Sequence, residues 1–63
     1  MSGEVDVTVA VEERTATDVL LHTGIKEAAV WLPLSTVTLT PTAYGGVYLA
    51  RMPERVAREK GLI

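Results

Sequence analysis

Val5-Asp6-Val7-Thr8-Val9-Ala10-Val11-Glu12 is the stretch whose reading decides the fold. Valine occupies every odd position, and polar or small residues occupy every even one. Successive side chains of a strand point to opposite faces, so this alternation predicts a strand with one buried face. A helix would scatter the four valines around its circumference. The polar cluster Glu12-Glu13-Arg14-Thr15 then reads as a turn or a strand bend.

The same period continues along the chain. Thr17–Thr23 reads as a second strand, with Val19 and Leu21 on one face and Leu20 and His22 on the other. Gly24-Ile25-Lys26 reads as a connecting turn. Glu27–Leu32 reads as a third strand, Ala28, Val30 and Leu32 opposing Ala29 and Trp31. Pro33 ends this strand or places it at a sheet edge, because proline has no N–H to give a ladder. A fourth strand covers Thr36–Thr40 and stops at Pro41; Thr42-Ala43-Tyr44-Gly45-Gly46 forms a turn; a fifth strand covers Val47–Arg51.

The period then changes. Pro53 suits a first helical turn, Glu54 favours its positive end, and Arg58 and Lys60 favour the other. Gly61 fits the position just past a helix, so a helix is expected over Pro53–Lys60, with Leu62 and Ile63 packing back. Met52, Val56 and Ala57 would form its apolar stripe. The expected fold is mostly β: a single domain over residues 1–63, a small antiparallel sheet or SH3-like barrel of about five strands, with a short C-terminal helix.

Composition narrows the functions. The chain has 63 residues, 48% of them hydrophobic, with nine Val and eight Thr but no Cys, Phe, Asn or Gln. Without cysteine there is no disulfide, thiolate metal site or thiol nucleophile. No stretch approaches the ~20 apolar residues of a membrane span. Met1-Ser2-Gly3-Glu4 lacks the basic and apolar regions of a signal peptide, which points to the cytoplasm. No cofactor or small-molecule substrate is implied. The charge of −2 is polarised: residues 1–30 carry six acids and two bases, and residues 31–63 four bases and two acids.

Each chemical constellation meets a simpler reading. His22 is the sole imidazole, and four strand residues put Asp18 about 13 Å away, too far to orient it. A hydrolase would also need Ser35 or Ser2 as nucleophile, and neither has the surrounding spacing. Glu12 and Glu13 are adjacent and in extended chain point to opposite faces, so they make a poor acid–base pair or cation site. Gly45-Gly46 lacks the Lys-Ser/Thr of a phosphate loop. No catalytic or metal-binding residue is assigned.

Arg51, Arg55 and Arg58 stand at helical spacing, with Lys60 beyond them, and Tyr44, Tyr48 and Trp31 could supply stacking faces. A basic ridge beside aromatics suits single-stranded nucleic acid. Against this, Glu54 and Glu59 are spaced to pair with Arg58 and Arg55, the chain is net acidic, and Trp31 between Val30 and Leu32 reads as core.

Trp31-Leu32-Pro33-Leu34-Ser35, together with Pro53-Glu54 and Ala57-Arg58-Glu59-Lys60-Gly61-Leu62, resembles small bacteriophage and mobile-element proteins. Those proteins carry a Trp-Leu-Pro-Lys-Ser-Gln-like element and a Pro-Glu-Trp-Leu-Ala-x-Glu-Lys-Gly-Leu-like tail. The likeness covers about the C-terminal half, and Leu34, Thr36 and Arg55 depart from the pattern at its Lys, Gln and Trp. It implies a phage or mobile-element origin and a cytoplasmic setting, and no reaction. Two readings follow. One is a non-enzymatic protein-interaction module, binding a protein partner or a second copy of itself. The other is a single-stranded nucleic-acid binder using Arg51, Arg55, Arg58 and Lys60.

Overall fold

The computed structural model describes residues 3–63. Its strands are β1 (Glu4–Arg14), β2 (Asp18–His22), β3 (Val30–Pro33), β4 (Thr38–Pro41) and β5 (Val47–Pro53), followed by helix α1 (Glu54–Glu59). They form one antiparallel sheet in the order β3-β2-β1-β5-β4. The expected small antiparallel sheet with a C-terminal helix is therefore what forms. It is open: β3 and β4 are its edges and share no ladder.

The valine alternation of β1 sets the core. Val5, Val7 and Val9 lie opposite Met52, Ala50 and Tyr48 of β5, and Val11 lies opposite Leu21 of β2. Val9, Val19, Leu21, Leu32, Val37, Ala50, Met52, Ala57 and Leu62 form one buried cluster. Each large aliphatic side chain so buried contributes roughly 1.5–3 kcal/mol, which a short chain needs to offset the cost of ordering itself.

Several element boundaries differ from the pattern in the sequence. β1 runs on to Arg14 through a β-bulge between Val11 and Glu13, so of the turn or strand bend expected over residues 12–15 it is the bend that forms, with Glu12, Glu13 and Arg14 kept in the strand. Lys26–Ala28 forms a single 3-10 turn rather than the start of β3. Adjacent alanines give little to a pleated surface, and β2 is paired to β3 only from Asp18 to Leu21. β4 begins at Thr38, with Val37 already buried before it. β5 continues to Pro53, so Met52 belongs to a strand opposite Val5 and not to the helical stripe.

α1 closes the core side through Ala57. Past its end, the Gly61 N–H donates to the Arg58 carbonyl at 3.1 Å and the Leu62 N–H to the Ala57 carbonyl at 2.8 Å. With Gly61 at φ +72° this is a Schellman cap, and it turns Leu62 into the core. Ile63 does not pack back; it is 54% exposed.

All three prolines end strands, and each does so at the same kind of ladder position. Pro33 opposes Asp18, and the next N–H, of Leu34, donates to the Thr17 carbonyl at 2.8 Å. Pro41 opposes Tyr48, and the Thr42 N–H donates to the Val47 carbonyl at 3.2 Å. Pro53 opposes Glu4, and the Glu54 N–H donates to the Gly3 carbonyl at 3.0 Å. Antiparallel ladders alternate bonded and non-bonded pairs, so each proline takes a position whose N–H would point away from its partner strand.

Candidate functional site: the outer face of the sheet

The register sorts side chains onto two faces. Residues opposing Asp6, Thr8 and Ala10 share the face away from the core: Arg51, Leu49 and Val47 on β5, then Thr38 and Thr40 on β4. On the other side of β1, His22 opposes Ala10, Leu20 opposes Glu13, and Trp31 of β3 opposes Leu20. Trp31 is 43% exposed and Leu49 41% exposed. Trp31 is thus an outward residue, because Val30 and Leu32 beside it take the inward positions. Leu20, Ala10 and Val47 lie between them, half-buried among neighbouring side chains and apart from the core cluster. An apolar band, interrupted by His22 beside Ala10, therefore runs diagonally from Trp31 and Leu20 to Val47 and Leu49, about 20 Å by strand spacing and rise.

Two built charged clusters share this face, one beside the band and one reaching into it at His22. Asp6 and Arg51 face each other as a non-bonded ladder pair, where side chains stand closest. Arg51 Nε and Nη2 donate to the two Asp6 carboxylate oxygens at 3.0 and 3.2 Å. That hydrogen-bonded guanidinium holds the Asp6 carboxyl below its ordinary value, partial desolvation working against it.

The second cluster follows from the bulge. It leaves both Glu12 and Glu13 on the outer face, against the alternation expected of a regular strand: Glu13 opposes Leu20, and Glu12 reaches His22. His22 Nε2 lies 3.1 Å from Glu12 Oε2, and the Gly24 N–H donates to His22 Nδ1 at 3.1 Å. Lys26 Nζ lies 3.5 Å from the other Glu12 oxygen. The hydrogen bond from His22 lowers the Glu12 carboxyl below its ordinary range, desolvation opposes this, and Lys26 adds to it. With Nδ1 accepting from Gly24, the neutral ring would carry its proton on Nε2, toward Glu12. Among the described residues no group of three or more His, Asp or Glu is placed to hold a metal ion. Ser2 lies outside the described residues.

The residues singled out for nucleic acid do not converge. Arg55 pairs with Glu59 at 3.6 Å, and Arg58 with Glu54 at 2.6 Å, while Arg51 is held by Asp6. Of the four, only Lys60 has no salt-bridge partner among the described residues. Tyr48 opposes Val9 and packs on the core side, the opposite face from Trp31. Tyr44 projects from the β4–β5 turn, 74% exposed. The sequence pattern alone does not mark Leu20, Val47 and Leu49 as a surface; only the strand order brings them into line with Trp31.

Fold and site together define a small, open antiparallel sheet with one packed face and one partly apolar exposed face. Compared with protein-family models, curated proteins and solved structures, the chain matches none of them. Among the described residues no helix is long and apolar enough to cross a membrane.

Proposed function

We propose that this protein is a non-enzymatic protein-interaction module of a phage or mobile element, binding through the outer face of its sheet. One observation carries the reading: the apolar band from Trp31 to Leu49, which lies on the face opposite α1. Outward faces of antiparallel sheets are ordinarily polar. Exposed apolar side chains set among charged ones on one face are a characteristic of protein contact surfaces. The likeness of Trp31–Ser35 and Pro53–Leu62 to small phage and mobile-element proteins supports the setting.

The arginine pairing favours this reading over single-stranded nucleic acid, because phosphate binding scales with uncompensated cations. Aromatics on opposite faces cannot stack successive bases. A fluorescently labelled single-stranded oligonucleotide titrated at low salt separates the two. The module reading expects no change in anisotropy. Salt-dependent binding that weakens in Arg58→Ala and Lys60→Ala variants overturns it.

A further inference from the structure

The band has a chemical signature that specifies its partner. On the outer face Glu4, Asp6, Glu12, Glu13 and Asp18 stand against Arg51 and Lys26, the faces following from the ladder partners. Asp6 and Glu12 are paired; Glu4, Glu13 and Asp18 have no salt-bridge partner among the described residues. Glu13 lies directly opposite Leu20, and Asp18, which accepts from the Thr17 hydroxyl at 2.6 Å, two residues before it, so two carboxylates without a cationic partner border the Trp31 end of the band. Glu4 extends the acidic border beyond Asp6.

The edges exclude one common way of docking. The free side of β3 would present Trp31 and Pro33, and that of β4 Leu39 and Pro41, by ladder alternation. A proline in each leaves only one outward N–H per edge strand, too few to template an added strand. A second copy seated face to face would oppose two surfaces of the same net negative charge.

Resting on the interaction-module reading, we infer that the outer face receives a protein segment with an apolar stripe flanked by lysines or arginines, laid across the band from Trp31 to Leu49. Its apolar side chains cover Trp31, Leu20 and Leu49, and its cations meet Glu13, Asp18 and Glu4. Binding by this mode needs no strand pairing, and it weakens as salt rises.

Two amphipathic peptides of about 14 residues, one of Leu and Lys and one of Leu and Glu, test this. Binding is read from Trp31 fluorescence, the only tryptophan in the chain, and from backbone amide shifts of the full chain. The expected result is a blue shift with the Leu–Lys peptide only, with amide shifts along Leu20, Trp31, Val47 and Leu49. Leu49→Ser, at an exposed position, weakens it about tenfold, and Tyr44→Ser, outside the band, leaves it unchanged. Glu4→Lys with Glu13→Lys, both exposed, weakens the Leu–Lys peptide and admits the Leu–Glu one. Equal binding of both peptides through Leu49 overturns the basic partner and leaves the interaction reading intact. Binding that ignores Leu49→Ser, or shifts confined to α1, overturns the site.

Discussion

Pro33 and Pro41 close the two edges of one sheet in the same way. Each is the last residue of an edge strand, and each sits at a non-bonded ladder position beyond which the next residue's N–H resumes the pairing. An open five-stranded sheet has two edges that invite association with other strands. Here both are blunted at the point where an N–H would face outward.

Restoring those donors changes assembly more than stability. In a Pro33→Thr, Pro41→Thr double variant the fold persists, since the native pairs do not use these N–H groups. Sedimentation velocity is expected to show larger species than for the parent chain at the same concentration. An unchanged distribution means the prolines do not guard the edges.

Adjacent residues of β3 differ sharply in what they hold together. Leu32 is fully buried, and Leu32→Ala removes packing worth about 2–5 kcal/mol, a large share of what a domain this small possesses. Trp31, larger but outward, contributes through its contact opposite Leu20, and Trp31→Ala costs about 1 kcal/mol or less. Urea denaturation followed by far-UV circular dichroism checks the order. A Trp31 loss exceeding the Leu32 loss contradicts the assignment of faces.

Gly61 is held at φ +72°, and a Cβ there meets nothing within 4 Å. The cost of Gly61→Ala is therefore conformational, about 1 kcal/mol. Gly45→Ala, in the β4–β5 turn without a positive φ, is expected to change stability little. The same denaturation series compares them.

Asp6 and Glu12 both titrate below their ordinary values of 3.8 and 4.5, each because of a hydrogen-bonded partner. Between the folded and unfolded values the unfolded chain binds more protons. The stabilisation is therefore complete above the unfolded values and disappears as pH falls through the folded ones. The urea midpoint should fall on going from pH 7 to pH 3, and fall less in Asp6→Asn and Glu12→Gln. Both groups are solvent-exposed, so the difference shrinks in high salt. A midpoint that rises with acid contradicts the two pairs.

In its neutral form His22 should carry its proton on Nε2, because Nδ1 accepts from Gly24 and Nε2 faces Glu12. Long-range proton–nitrogen correlation NMR reads the tautomer directly. A proton on Nδ1 contradicts the cluster.

The alternation of β1 and the Gly61 cap were legible in the sequence because each is a local pattern with one physical solution. Strand number and the β4–β5 turn followed from the same logic. Less legible were features that depend on pairing: the fold of Glu12 and Glu13 onto one face, and Met52 as a strand residue. The aromatic candidates failed to converge for the same reason, since register alone decides that Trp31 and Tyr48 take opposite faces. Arg55 and Arg58 were placed on the helix with their acidic partners from spacing, but the cross-strand hold of Asp6 on Arg51 spans 45 residues and has no sequence signal.

The central claim is that this protein acts through the outer face of its sheet by holding another protein. Photo-crosslinking in the source cell tests it most directly, with a photoreactive residue placed at position 49 in one variant and at position 60 in another. The account predicts a discrete protein adduct from position 49. Nucleic-acid adducts from position 60, with none from position 49, would contradict it.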